Sequence, residues 1–320
     1  ATTLVFERRR AEVGSEIDAE IRFSGERQGV AAWLADPAPI ASLDFISANA
    51  YLVTSVAAKD GAVLFDELLG MVAETGPDAL AELEAFEDEV GINLRDDFAS
   101  AVGGEGTFAV DGPVLPIPAW KLVVEVYDPA TLDHSIRTVI ARANDELATS
   151  GGQPISVATE NAGGLRYTSI THPSSPVAFT YVMTEGFFIA GSNRAAIEQA
   201  ISVRDSGLGI AHSAVFRDLL PDNGFTDCSA LFYRNLGPIF GTLPTGALGE
   251  LGEYEALLLE SAAPGLFCVY GLSDRILISG SGPSLAALGP LFGASSFMAF
   301  EGITEAVEST RGADQLSSQS

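Results

Sequence analysis

Three times the chain writes two apolar strands joined by a short turn, followed by a helix that opens on a capping or proline residue. The first copy runs from Phe108 through Asp111-Gly112 to Trp120–Tyr127, then Asp128-Pro129 and a helix to Ala148. The second is Phe179–Met183, a turn at Thr184-Glu185-Gly186, Phe187–Gly191, then Ser192 and a helix to Val203. The third is Phe267–Gly271, a turn at Ser273-Asp274, Ile276–Ser279, then Pro283 and a short helix over Ser284–Leu288. Short turns make neighbouring strands antiparallel, and the helices that follow must cover apolar strand surface. The expected fold class is therefore α+β: antiparallel sheet built from repeated hairpin–helix units, with helices packed on one face.

The rest of the chain reads compatibly. Residues 3–10 and 16–24 alternate apolar and polar residues, as a strand pair does. Tyr51–Ala57 is a further strand. Asp60 can cap a helix whose Leu64, Leu68, Leu69 and Val72 share one face. Pro77 suits the first turn of the next helix, Gly91 its end, and Asn93 the cap of a third. Pro113–Pro118 reads as an excursion from the first unit rather than a central strand. Pro154–Thr159 and Leu165–Ile170 form another strand pair. A second helix is expected over Tyr254–Ser261. With no long linker, residues 1–310 read as a single compact unit, compatible with two lobes meeting near 150–165. The Ser-rich stretch 311–320 reads as a disordered tail.

Charge removes whole classes of partner. Seventeen basic residues face 43 acidic ones, a net charge of −26 in 320 residues. Such a field repels phosphate backbones and anionic lipid, so nucleic acid is not an expected partner. The one basic cluster, Arg8-Arg9-Arg10, sits beside Glu7 and Glu12 and reads as a solvated strand edge. No apolar run reaches the ~20 residues of a membrane helix. The chain opens at Ala1 without methionine or a basic-then-apolar leader, as a processed chain or a piece of a longer one does.

Site chemistry is sparse. His134, His172 and His212 are far apart, and none has a second ligand at zinc spacing. The carboxylates Glu82, Glu84, Glu87, Asp88 and Glu89 read as a solvated helix face. Ser279-Gly280-Ser281-Gly282-Pro283 lacks the glycine spacing of a nucleophile elbow. Gly103-Gly104-Glu105-Gly106 leads into a strand, so it is not a dinucleotide fingerprint. No phosphate-cradling loop occurs. Asp222–Asp227 carries oxygen ligands around a glycine but lacks the spaced acids of a calcium loop. No catalytic, metal or cofactor-binding residue is therefore assigned. Two readings stay open for Cys228 and Cys268, each mid-strand: buried free thiols, or a disulfide made in an oxidising compartment. Trp33 and Trp120 are the candidate interaction aromatics, with core packing as the alternative.

The order of several phrases resembles the DUF3352 family of uncharacterised exported bacterial proteins. They are Trp33-Leu34-Ala35-Asp36-Pro37-Ala38-Pro39, Lys59-Asp60 before Leu68-Leu69-Gly70, and Gly91–Asp97 into Gly103-Gly104-Glu105. Trp120–Pro129, Gly186–Gly191 and Phe216–Pro221 before Ser229-Ala230-Leu231 complete the set, and the resemblance covers about residues 25–290. It implies an envelope location, periplasmic or extracellular, and no chemistry. The expected function is a non-enzymatic structural or interaction module with protein partners, such as an accessory subunit of a membrane complex. It would reach the membrane peripherally. The alternative is a carrier of a lipid or small apolar ligand.

Overall fold

The computed structural model describes residues 3–10, 15–113, 118–175, 178–240 and 262–282. The helices expected over 254–261 and 284–288, and the tail 311–320, lie outside these residues. The chain is α+β, with one antiparallel sheet of twelve strands. In chain order these are β1 (Thr3–Arg10), β2 (Ser15–Arg22), β3 (Leu52–Ala57), β4 (Val102–Val110), β5 (Trp120–Val126) and β6 (Ser156–Ala162). They continue with β7 (Leu165–Thr171), β8 (Phe179–Thr184), β9 (Phe187–Gly191), β10 (Ala230–Arg234), β11 (Gly265–Gly271) and β12 (Arg275–Gly282). Across the sheet the order is β1-β2-β12-β11-β10-β3-β4-β5-β9-β8-β7-β6.

The helices are α1 (Gly61–Thr75), α2 (Pro77–Val90), α3 (Pro129–Ser150), α4 (Arg194–Ser206) and the short α5 (Ala214–Asp218) and α6 (Gly237–Phe240). Their starts follow from side chains that accept otherwise orphaned N–H groups. Asp60 accepts from Ala62, and Asp128 from both Ala130 and Thr131. Ser213 accepts from Phe216. The cap of α4 is Asn193, which accepts from Ala196, one residue beyond the expected Ser192. Gly91, with φ at 74°, ends α2 in the left-handed region that glycine enters without a Cβ penalty. The excursion through Pro113 and Pro118 separates β4 from β5, both of which are central strands.

The registers contain a relationship that no local phrase announces. The order reads alike in both directions from the β3–β10 pair, with β4, β5, β9 and β8 mirrored by β11, β12, β2 and β1. The residue pairing obeys the same exchange. Thr54 faces Phe232 across the centre. Outward, Phe108 pairs with Leu122 and Leu122 with Ala190, as Phe267 pairs with Gly280 and Gly280 with Ile17. Hydrogen bonds repeat too: Tyr51 donates to Val110 as Ser229 donates to Val269, and Ala57 donates to Ser229 as Asn235 donates to Tyr51. Ten strands therefore follow a local two-fold. Each half sends a hairpin, β1–β2 or β8–β9, onto the last strand of the other. Only β6 and β7 stand outside it.

Helices cover both faces, which corrects the one-face expectation. Val53, Ala109 and Val123 point to a face sealed by Phe45, Ile46, Ile210 and Phe216 and by Ile197 and Ala200 of α4. Leu122, Tyr181, Phe188 and Ala190 point to the other, against Leu132 and Ile136 of α3 and Phe98. The reason lies in β9, where Phe187, Phe188, Ile189 and Ala190 are all buried. A strand apolar on both sides needs a cover on both.

Candidate functional site

Strand alternation in β7 builds two clefts, one on each face of the β6–β7–β8 end of the sheet. Arg166 and Thr168 point toward α3, while Leu165 and Tyr167 point toward α4. On the α3 side, Asp133 is a hub. Tyr181 donates its hydroxyl to Asp133 Oδ1 at 2.7 Å, and Arg166 Nη2 and Arg137 Nε donate to Oδ2 at 2.6 and 2.9 Å. Arg137 Nη2 also donates to Thr168 Oγ1 at 3.2 Å. Burial alone would raise the Asp133 pKa, but the bonds from Arg137 and Tyr181 and the two guanidinium charges outweigh it and hold the carboxyl below its usual range. Burial, reinforced by Asp133, pushes Tyr181 up to about 12. The cleft holds about 380 Å³, with Pro129, Ala130 and Met183 as its apolar wall. Its polar groups are engaged with one another, as in a network that fixes α3 on the sheet.

On the α4 side, Arg194 joins helix to sheet edge. Its Nη1 lies 2.6 Å from Glu160 of β6 and its Nε 2.7 Å from Glu198, with the guanidinium 5.1 Å from the Tyr167 ring centre. Burial first, then the Glu198 charge, raises the Tyr167 pKa. Beside this cluster is a groove of about 410 Å³, floored by Ala162, Leu165 and Ile201 and rimmed by Glu198 and Asp205. Its outer boundary is β6, which pairs with β7 without a register break from Ser156 to Ala162. Residues 156–161 of β6 are all exposed. The groove offers apolar floor, carboxylates and an open strand edge.

The other residues singled out from sequence are scattered. Cys228 and Cys268 are brought together as a disulfide, with Cα atoms 5.6 Å apart. Trp33 is half-buried and donates its indole N–H to Glu67 at 2.9 Å. Trp120 lies in an aromatic row between Phe108 and Phe179, at 6.4 and 5.7 Å. The two tryptophans share no cluster. His134 on α3 and His212 after the Ile210 turn are exposed. His172 contacts Ser174 Oγ at 2.7 Å through Nδ1 and the Gln153 carbonyl at 3.0 Å through Nε2, in a surface loop. Asn223 accepts from the Phe225 N–H, closing the Asp222–Asp227 stretch as a turn. Arg8, Arg9 and Arg10 end the edge strand β1. Among the described residues, no group of three or more His, Cys, Asp or Glu is arranged to hold a metal. No helix among them is long and apolar enough to cross a membrane.

Sequence reasoning missed two polar constellations. The Asp133–Arg137 half of the first was readable as a four-residue helical spacing, but Arg166 and Tyr181 reach it from distant strands. The second is a buried ion pair between Lys121 and Asp111, joined by Ser47. Its signal was available: Lys121 is one of only two lysines and sits between Trp120 and Leu122 at the start of an apolar strand. Comparison of the whole chain with protein families, characterised proteins and solved structures finds no match, so the family resemblance rests on the quoted phrases alone.

Proposed function

We propose that this chain is a non-enzymatic interaction module of the bacterial cell envelope, carried on a scaffold of repeated hairpin–helix units. It acts as an accessory subunit of a larger membrane-associated assembly. One observation carries the reading: among the described residues the sheet ends at β6, with an exposed strand beside a charged, part-apolar groove. Edges that are not meant to pair are normally guarded by charge, proline or a covering element. The Cys228–Cys268 bond supports an oxidising compartment such as the periplasm. Hairpins followed directly by helices, β4–β5 before α3 and β8–β9 before α4, support the repeated-unit reading. The ligand-carrier reading asks for a continuous apolar cavity of at least about 300 Å³. The two clefts described carry Arg166 and Asp133, or Arg194 and Glu198, and do not favour it.

The test is affinity purification of the tagged chain, in its native host, after chemical cross-linking of solubilised envelope. A partner recovered at a fixed stoichiometry is expected. A cross-link-free monomer in the soluble fraction overturns the reading.

A further inference from the structure

The β6–β7 hairpin is the part of the sheet that the local two-fold does not account for. The other ten strands have a counterpart in order and pairing, apart from a register shift between Val102 and Gly106 of β4, while β6 and β7 extend one end only. The hairpin's inner strand β7 serves the scaffold, with Tyr167 in the core and Arg166 and Thr168 tied to α3, while β6 is left exposed at the edge. Its outer strand, Ser156-Val157-Ala158-Thr159-Glu160-Asn161-Ala162, contains no proline, lysine or arginine and no bulge. Its one charge, Glu160, is drawn to Arg194 on the α4 side. Among the described residues the edge thus lacks the guards that keep strands from pairing.

Resting on the interaction-module reading, we propose that β6 accepts an extended segment of a partner protein as a thirteenth antiparallel strand. In that segment, apolar residues alternate with lysine or arginine. The alternation follows from the groove. Glu160 and Ala162 pair with Tyr167 and Leu165, so these four share the α4 face. An added strand places every second side chain on that face, beside Leu165 and Ile201 and within reach of Glu198 and Asp205. Apolar groups suit the floor, and a cation suits Asp205 on the rim, since Glu198 is already paired with Arg194. The whole-chain charge of −26 steers a basic segment in and repels a second copy of this chain.

Fluorescence anisotropy with the intact protein tests this. The probe is a labelled peptide of alternating valine and lysine, about seven residues long to match β6. Saturable binding is expected, weakened at least about tenfold by N-methylation of alternate peptide amides, which removes strand pairing but keeps charge. Thr159→Pro in β6 and Asp205→Lys on the rim are each expected to weaken it about as much. If Thr159→Pro unfolds the chain, the methylated and unmethylated peptides on wild-type protein still decide. Equal binding of the two peptides, or no binding of either, overturns the proposal. So does a concentration-dependent dimer that Thr159→Pro abolishes, which would make the occupant a second copy. An envelope partner that cross-links equally to wild type and to folded Thr159→Pro protein removes this proposal while leaving the interaction-module reading standing.

Discussion

Lys121 Nζ donates to Asp111 Oδ2 at 2.6 Å with both side chains closed to solvent, at 0 % and 1 % exposure. Ser47 completes the cluster, its hydroxyl donating to Asp111 Oδ1 at 2.6 Å and its backbone N–H to Oδ2 at 2.9 Å. Burial pulls the Lys121 pKa down, and Asp111 pushes it partly back. Removing one partner leaves the other charge buried and unpaired. Lys121→Met is therefore expected to cost about 3–5 kcal/mol in urea unfolding. The double variant Asp111→Asn/Lys121→Met should cost less than the sum of the two single changes. Additive losses would show that the pair is not coupled.

The disulfide closes a loop across a sequence separation of 40. Chain entropy assigns such a loop about 4 kcal/mol through the unfolded state. Replacing both Cys228 and Cys268 by alanine should lower the urea midpoint by a corresponding amount, and reductant should lower that of wild type but not of the variant. A wild-type midpoint indifferent to reductant under denaturing conditions would refute the assignment.

The two-fold makes a sharper demand. By register, Cys268 occupies the place of Ala109, and Cys228 that of Ala50 in the other half. Ala50 and Ala109 are both buried, at 1 % and 0 % exposure. Exchange relates Ser47 with Asp111 to Phe225 with Tyr270 in the same way. One half fills the site with a polar cluster, the other with two rings 4.7 Å apart. Ala50→Cys/Ala109→Cys is expected to form a second disulfide on air oxidation, leaving no titratable thiol after denaturation. Two free thiols in the oxidised, folded variant would count against equivalence.

Asp133 supplies a pH test. Its folded pKa lies below the ordinary carboxylate value, so the stabilisation is present above that ordinary value and is lost as pH falls through the folded one. Asp133→Asn should cost about 2 kcal/mol near neutrality, the scale of hydrogen bonds to a charged group. The gap between wild type and variant should close as pH falls below the ordinary carboxylate value. A gap of constant size from pH 7 to acid would mean that the carboxylate charge is not what the network uses.

Local rules recovered what local chemistry decides. Asp60, Asp128 and Ser213 cap helices where their side chains can reach N–H groups two or three residues on. Hairpins at Glu185-Gly186 and Ser273-Asp274 close where turn residues interrupt apolar runs. Strand order was not readable, because the partners of β3 come from residues 102–110 on one side and 230–234 on the other. The three look-alike phrases also hid the two-fold, whose equivalent strands share register and almost no residues: Lys121 answers to Ser279, and Gly191 to Asp18. The β6 groove was out of reach for the same reason, since Arg194 of α4 meets Glu160 of β6 across 34 residues of sequence.

The hairpin exchange also sets the order in which the molecule can be finished. Asp18 of β2 accepts from Ser279 of β12, 261 residues further along the chain. At the ~5–20 residues per second of synthesis, the first hairpin waits tens of seconds for that partner. Neither half completes its own sheet, so β1 and β2 are secured only once β12 is made. Such long-range closure folds slowly. A sheet built this way stays open along β2 until β12 has been made, and closes only then.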